Sequence, residues 1–114
     1  SLIYGDALEL ADTRYNFLYN AGWQGWRENG QMAGTSGQAL RLEAIQMKLT
    51  GEMAKKYDVY YRTHVQNFGW TGWASNEGSC GSAGYSYRLE AIEIQLVPKG
   101  GPAPGNTNDA FYSS

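Results

Sequence analysis

Four tryptophans in two closely spaced pairs are the residues whose chemistry points most directly to ligand recognition. Trp23 and Trp26 lie three positions apart in "GWQGW", as do Trp70 and Trp73 in "GWTGW". An exposed indole beside glycine can stack on the apolar C–H face of a sugar ring, while polar neighbours read the sugar hydroxyls. An exposed aromatic ring can equally anchor a protein partner. The pairs therefore favour binding, to a glycan or to a protein.

The two tryptophans of each pair are expected to have different roles. Positions three apart in an extended chain point to opposite faces, and burying one indole contributes about 2–3 kcal/mol to a small unit. We predict that Trp23 and Trp70 pack inward, whereas Trp26 and Trp73 face a groove or solvent. The candidate ligand-binding residues are Trp26, Trp73, Gln24, Asn29, Thr71 and Asn76.

Two carboxylates, Glu43 and Glu90, recur at the same place in "RLEAI" at 41–45 and 88–92. A glycosidase requires two carboxylates at a set separation, so hydrolysis through this pair is one interpretation. An ion pair with the arginine two residues earlier is the simpler one, and no enzymatic activity is expected. The candidate structural residues are Trp23, Trp70, Arg41, Glu43, Arg88 and Glu90.

Other kinds of site lack their sequence signature. His64 has no second histidine or cysteine at ligand spacing, so neither a metal site nor a cofactor is predicted. "GTSG" and "GSAG" lack the lysine of a phosphate-binding loop. A net charge of −2 provides no basic stripe for nucleic acid. No apolar run approaches the ~18 residues of a membrane span, so membrane insertion is not expected. Cys80 is the one cysteine, and it is expected to be a small buried packing residue.

An internal duplication organises these residues within the 114-residue chain. A shift of 47 positions aligns residues 20–49 with 67–96, and 14 of these 30 positions are identical. In this alignment Phe17 stands where His64 stands. The predicted segments are a linker or remnant of a preceding repeat at 1–11, a first repeat at 12–58, a second repeat at 59–97 and a flexible tail at 98–114.

Period-two alternation within each repeat predicts strands. In "VYYRTHVQ" one face carries Val59, Tyr61, Thr63 and Val65. A helix over "LRLEAIQMKLTGEMAKKY" is rejected because the matching "YRLEAIEIQLVPKGG" is β-branched and contains proline. We predict an all-β fold in which two pseudo-symmetric repeats share a core, as a β-sandwich or a β-prism-like domain.

A regular strand over "RLEAI" would put its charged arginine and glutamate on the same face as the apolar residues that follow. Two solutions are open. A β-bulge near Ala44 and Ala91 could reverse the register. Alternatively, the arginine and glutamate could form an ion pair at the rim of the core.

The aligned repeats resemble the clostridial hydrophobic tryptophan (ChW) repeat. The matching features are the Gly-Trp step with its second tryptophan, the turns "AGTSG" and "CGSAG", and the "RLEAI" strand, which together span residues 12–97. The resemblance implies a secreted or cell-surface protein of Gram-positive bacteria, whose repeats bind cell wall, polysaccharide or protein without catalysis.

The expected function is therefore that of a non-catalytic module that binds cell-wall glycan or another polysaccharide. The alternative is a protein–protein or adhesion module that docks secreted proteins or host surfaces. Two sites in one chain would strengthen either kind of binding through avidity.

Overall fold

The computed structural model describes residues 13–19, 22, 23, 25–28 and 42–114, and it confirms the all-β class. Its elements are β1 (Thr13–Tyr19), β2 (Gly22–Trp23), β3 (Arg27–Glu28), β4 (Leu42–Leu49), α1 (Gly51–Lys56), β5 (Tyr57–Val65), β6 (Gly69–Trp70), β7 (Ala74–Ser75), β8 (Cys80–Ala83), β9 (Leu89–Pro98) and β10 (Phe111–Ser113). The segment predicted as a linker or repeat remnant, 1–11, lies outside the described residues. Within the described part of the chain, no helix is long and apolar enough to cross a membrane.

The two repeats build the same strand arrangement. β1 pairs antiparallel with β2, β3 and β4. In the second repeat, β5 pairs antiparallel with β6, β7 and β9. The short helix α1 follows β4 and leads directly into β5, so the two sheets are joined by little intervening chain. The duplication seen in the sequence is therefore also a structural duplication.

A β-bulge interrupts both repeats at the same place. The pairing of β1 with β4 skips Glu43, and the pairing of β5 with β9 skips Glu90. Of the two solutions open for "RLEAI", the bulge near Ala44 and Ala91 therefore occurs in both repeats, and the glutamates are the extra residues.

The bulge explains how apolar residues of opposite parity enter one core. An extra residue reverses the side-chain alternation, so the leucine before the bulge and the isoleucine after it can face the same way. Leu42 and Ile45 are both fully buried in β4, and Leu89 is fully buried in β9. Without the bulge, either the leucine or the isoleucine of each repeat would point away from the core.

A single apolar core spans both repeats. Its buried members are Tyr15, Phe17, Leu42, Ile45, Met47, Val59, Tyr61, Val65, Ala74, Cys80 and Leu89. The inward residues of β5 alternate as predicted. The Tyr61 hydroxyl donates to the carbonyl oxygen of Gly78 and lies 3.4 Å from the carbonyl oxygen of Met47 in the first repeat. The repeats therefore share their core.

Strand β8 connects the repeats through the backbone. It belongs to the second repeat by sequence but pairs antiparallel with β4 of the first, with Ala44 opposite Gly81 and Ile45 opposite Cys80. Gly81 has a φ of 124°, and a Cβ there would overlap the carbonyl oxygen of Glu43. Only glycine allows this close approach of the two strands.

The C-terminal segment differs from the flexible tail expected from its composition. Its last strand, β10, pairs in parallel with β8. Gly81 N–H donates to Ala110 O (2.9 Å) and Ser114 N–H donates to Ala83 O (3.1 Å). The ring of Tyr112 stacks on Phe68 with centroids 4.3 Å apart. The physical reason is that the outer edge of β8 offers backbone groups that the segment can satisfy.

Replacing Gly81 by alanine should destabilise the protein much more than the same change at Gly100. Gly81→Ala adds overlap with strand β4 to an unfavourable φ and should cost about 2–5 kcal/mol of unfolding free energy. Gly100 also has a positive φ, 79°, but open space around its Cα, so Gly100→Ala should cost about 1–2 kcal/mol. Chemical denaturation measures both, and equal losses would contradict the close-approach explanation.

The Cys80 thiol should be inert in the folded protein. It is buried against the hydroxyls of Thr71 (3.2 Å) and Thr63 (3.5 Å), and burial raises its pKa. Because only the thiolate is nucleophilic, a thiol reagent should modify Cys80 slowly in native buffer and at once in denaturant. Rapid stoichiometric modification of the native protein would show that the site is open.

Candidate functional site

The outer face of the second repeat carries a cluster of charged and aromatic side chains. Arg62 and His64 alternate with the buried residues of β5 and so point away from the core. The Nε and Nη2 atoms of Arg62 both lie 2.7 Å from Oε1 of Glu93, its partner across the β5–β9 pairing. Nδ1 of His64 lies 3.0 Å from Oε1 of Glu90, the bulge residue. The pairing of β5 with β9 therefore places the carboxylates of Glu93 and Glu90 beside Arg62 and His64.

Arg62 and His64 support an exposed indole, that of Trp70. Trp70 on β6 is the cross-strand neighbour of His64, and its ring meets the imidazole edge to face with centroids 5.3 Å apart. The guanidinium carbon of Arg62 lies 4.4 Å from the indole centroid, a cation–π contact. Trp70 is 46% exposed. The ring is thus held from two sides and presented to solvent.

Trp73 is buried instead. It is 7% exposed, and the Arg62 guanidinium lies 5.1 Å from its ring centroid. Its backbone N–H donates to Asn106 O (2.8 Å), and Gly105 lies against its indole nitrogen. The C-terminal segment therefore covers Trp73.

The predicted orientation of the tryptophans is wrong. The first tryptophan of each pair is the exposed one, since Trp23 is 39% exposed and Trp70 46%, whereas Trp73 is buried. Trp26 is partly buried, with the Lys48 ammonium 4.9 Å from its ring centroid. The reason is hairpin register: cross-strand neighbours share a face, and Trp70 pairs with the outward-pointing His64.

The exposed and buried tryptophans of the second repeat border one groove of about 460 Å³. Its lining residues come from three places: the outer face of the sheet, the 70–73 segment and the C-terminal segment. They are Arg62, Trp70, Thr71, Gly72, Trp73, Glu93, Gln95, Pro104, Gly105, Asn106, Asn108, Asp109 and Tyr112. A groove of this size with an aromatic edge and polar walls can hold one or two sugar rings.

Thr71 and Asn76, both predicted to bind ligand, are engaged within the protein. Thr71 borders the groove but is buried; its hydroxyl accepts from Thr63 N–H (3.2 Å) and donates to Gly72 O (2.9 Å). Asn76 does not line the groove. It occupies an exposed turn with a φ of 45°, and its side chain donates to Asp58 Oδ1 (3.3 Å). Thr71 fixes backbone beside the groove, whereas Asn76 contacts the backbone of Val59 and the side chain of Asp58, which do not line it.

The remaining predicted residues divide by repeat. Gln24, Asn29 and Arg41 lie outside the described residues. Glu43 is buried in the first bulge. In the second repeat, Nη2 of Arg88 lies 3.4 Å from Oε2 of Glu90, so both proposed solutions for "RLEAI" occur there together: a bulge and an ion pair.

Within the described part of the chain, no group of three or more His, Cys, Asp or Glu side chains could hold a metal ion.

The structure corrects the alignment of the repeats at the first hairpin. Leu18, not Phe17, stands where His64 stands: Leu18 is opposite Trp23, as His64 is opposite Trp70. The turn of the second hairpin is one residue longer, so a shift of 46 relates β1 to β5 while 47 relates the segments that follow.

The residues at the positions of Arg62 and Glu93 are different in the first repeat. Asn16 stands where Arg62 stands and faces Gln46 as Arg62 faces Glu93. Asn16 Nδ2 donates to Gln46 Oε1 (3.1 Å), while its Oδ1 accepts from Gly25 N–H (2.9 Å). A neutral amide pair thus replaces the ion pair.

Sequence reasoning missed Arg62, Glu93 and the C-terminal wall of the groove. The period-two pattern of "VYYRTHVQ" places Arg62 and His64 together on the face opposite Val59 and Tyr61, which is a usable signal. Nothing in the sequence indicated that residues 104–109 would fold back over Trp73.

Removing Trp73 should cost far more stability than removing Trp70. Trp73→Ala should lower the unfolding free energy by about 3–5 kcal/mol because it empties a packed site. Trp70→Ala should cost about 1 kcal/mol, the scale of an exposed cation–π contact. Thermal and chemical denaturation of the two variants provide the comparison, and a greater loss for Trp70→Ala would contradict the observed burial.

Comparison with known proteins agrees with this repeat geometry. The family profile described as Clostridial hydrophobic W (ChW) matches residues 18–51 and 64–98, more than half of the chain. No curated protein and no solved structure matches the chain. The first matched segment runs from the end of β1 to the start of α1, and the second from the end of β5 to the end of β9. The chain therefore belongs to the ChW family, as two tandem copies of its repeat.

Proposed function

We propose that this chain is a non-catalytic binding module of a secreted or cell-surface bacterial protein, and that it binds cell-wall glycan or another polysaccharide. The observation that carries the proposal is the 46% exposed indole of Trp70, held over Arg62 at the edge of a groove. Sugar rings present one apolar face and a rim of hydroxyls. The groove offers a matching aromatic surface and polar walls.

The support of Trp70 favours affinity as well as shape. An indole already fixed by Arg62 and His64 loses little conformational freedom when a ligand stacks on it. Around it, Gln95, Asn108 and Asp109 line the groove, and residues of these types can exchange hydrogen bonds with hydroxyl groups. A preformed platform with neutral and acidic acceptors suits sugar recognition.

Three further points support a binding role without catalysis. Membership of the ChW family makes this a tandem repeat module, and the resemblance implies display outside the cell. Glu43 is buried in its bulge. Both oxygens of Glu90 have cationic or imidazole partners, Arg88 and His64. The two recurring carboxylates therefore serve local structure in this proposal.

A protein partner is the second candidate, and the exposed aromatic residues favour it. Trp23, Trp70 and Phe111 are the large apolar side chains most exposed among the described residues, and such residues anchor protein interfaces. The same experiment separates the two candidates.

Trp70→Ala should weaken binding to purified cell walls or insoluble polysaccharide by at least about tenfold, a loss of ~1.4 kcal/mol. Its melting temperature should fall by only the few degrees that a loss of about 1 kcal/mol produces. Phe111→Ala is the matched control, because it removes another exposed aromatic side chain that does not line the groove. Sedimentation with titrated walls measures both variants.

Treatment of the walls distinguishes the ligand class. Binding that survives protease but disappears after enzymatic removal of glycan supports the proposal. Binding that survives glycan removal and disappears after protease would establish the protein-partner alternative. Equal weakening by Trp70→Ala and Phe111→Ala would show that general surface hydrophobicity, and not the groove, mediates binding.

A further inference from the structure

The C-terminal segment forms one wall of the groove through specific backbone contacts. Gly72 N–H donates to Asp109 O (3.2 Å), and Trp73 N–H donates to Asn106 O (2.8 Å). A Cβ at Gly72 would overlap the carbonyl oxygen of Asn108, so the wall approaches as closely as a glycine permits. This wall lies beyond residue 98, where the second family match ends. It is therefore an addition to the repeat itself.

The wall is anchored on both sides of the groove. Downstream, β10 pairs with β8, and Tyr112 stacks on Phe68. Upstream, Gly100 N–H donates to Asp58 Oδ2 (3.0 Å), and Lys99 N–H donates to Lys56 O (2.9 Å). With both ends attached, residues 104–109 have a defined position relative to Trp70 before any ligand binds.

The charges along the groove are unfavourable to an acidic ligand. Among the described residues, Arg62 is the one cationic residue that lines the groove, and its guanidinium is paired with Glu93 at 2.7 Å and covered by the rings of Trp70 and Trp73. The wall adds a second acidic residue, Asp109. One cation and two carboxylates leave the lining with a formal charge of −1, and the other polar side chains are neutral.

We infer, on the basis of the proposed function, that the groove accepts glycans free of carboxylate and phosphate groups and rejects acidic ones, and that the wall residue Asp109 contributes to this choice. Neutral sugar hydroxyls can donate to carboxylates and exchange hydrogen bonds with amides. An anionic group would be repelled by Asp109, which has no cationic partner among the described residues, whereas Arg62 already has its counter-charge. The selectivity resides in the segment added to the second repeat.

Matched polymer pairs test the inference. Affinity electrophoresis would compare glycol chitin with carboxymethyl chitin, and hydroxyethyl cellulose with carboxymethyl cellulose, so that each backbone is present in neutral and acidic form. The neutral member of any pair that binds should bind at least about fivefold more tightly, the size of one repulsive contact at short range in water. Added salt should reduce the difference.

Asp109→Asn tests the role of the wall. Asparagine tolerates the φ of 54° at this position, so the fold should be retained. Affinity for the acidic polymer should rise roughly two- to fivefold relative to the neutral one. Glu52→Gln is the matched control, since it makes the same change in net charge on exposed α1, away from the groove, and it should leave the ratio unchanged.

The outcomes separate this inference from the function on which it rests. An acidic polymer bound as tightly as its neutral partner overturns the inference, while glycan binding stands. An equal effect of Asp109→Asn and Glu52→Gln overturns the role of the wall. If neither the four polymers nor purified cell walls are bound, the proposed function fails, and the inference fails with it.

Discussion

The pairing of β8 with β4 is the contact on which the rest of the molecule depends. A strand that belongs to the second repeat completes the sheet of the first, and Gly81 permits the approach because its missing Cβ would overlap Glu43 O. The pairing of β8 with β4 brings Cys80 and Tyr61 into one core with Met47. It also leaves the outer edge of β8 facing the C-terminal segment, which pairs with it. The groove beside Trp70 exists because that segment is held there.

The two repeats share the same strand arrangement and differ in the residues on the outer face of each sheet. Both have the same bulge. Both also have the same hairpin, in which a tryptophan lies opposite Leu18 in the first repeat and opposite His64 in the second. The second repeat places Arg62 and Glu93 beneath that tryptophan, where the first places Asn16 and Gln46. A conserved backbone pattern with altered outward residues lets a duplicated unit acquire one specialised face. Core packing restrains the inward residues of both copies, whereas the outward residues of the two copies form different contacts.

Much of the fold could be predicted from the sequence, but the orientation of the tryptophans could not. Alternation in β5 predicted which residues share a face, and the conflict within "RLEAI" indicated a bulge as one of two solutions, because side-chain period is a local property. The rule that positions three apart point to opposite faces fails for Trp70 and Trp73, because both rings contact the outward-pointing Arg62 and border the same groove. The sequence also could not say which indole is buried. That depends on the pairing of Trp70 with His64 across the hairpin and on the C-terminal segment, which covers Trp73.

The sequence by itself determined the duplication, the strand pattern and the presence of paired aromatic residues, since these arise from identity and periodicity along the chain. Only the tertiary structure decided which indole is exposed, which residues support it and what encloses it. Arg62, Glu93 and Asp109 are distant from one another in sequence and meet at one groove through sheet register and the return of the C-terminal segment. The composition of that segment, rich in proline and glycine, predicted flexibility because propensity describes an isolated chain. Its position was decided by an open strand edge with unpaired backbone groups, which no local pattern records.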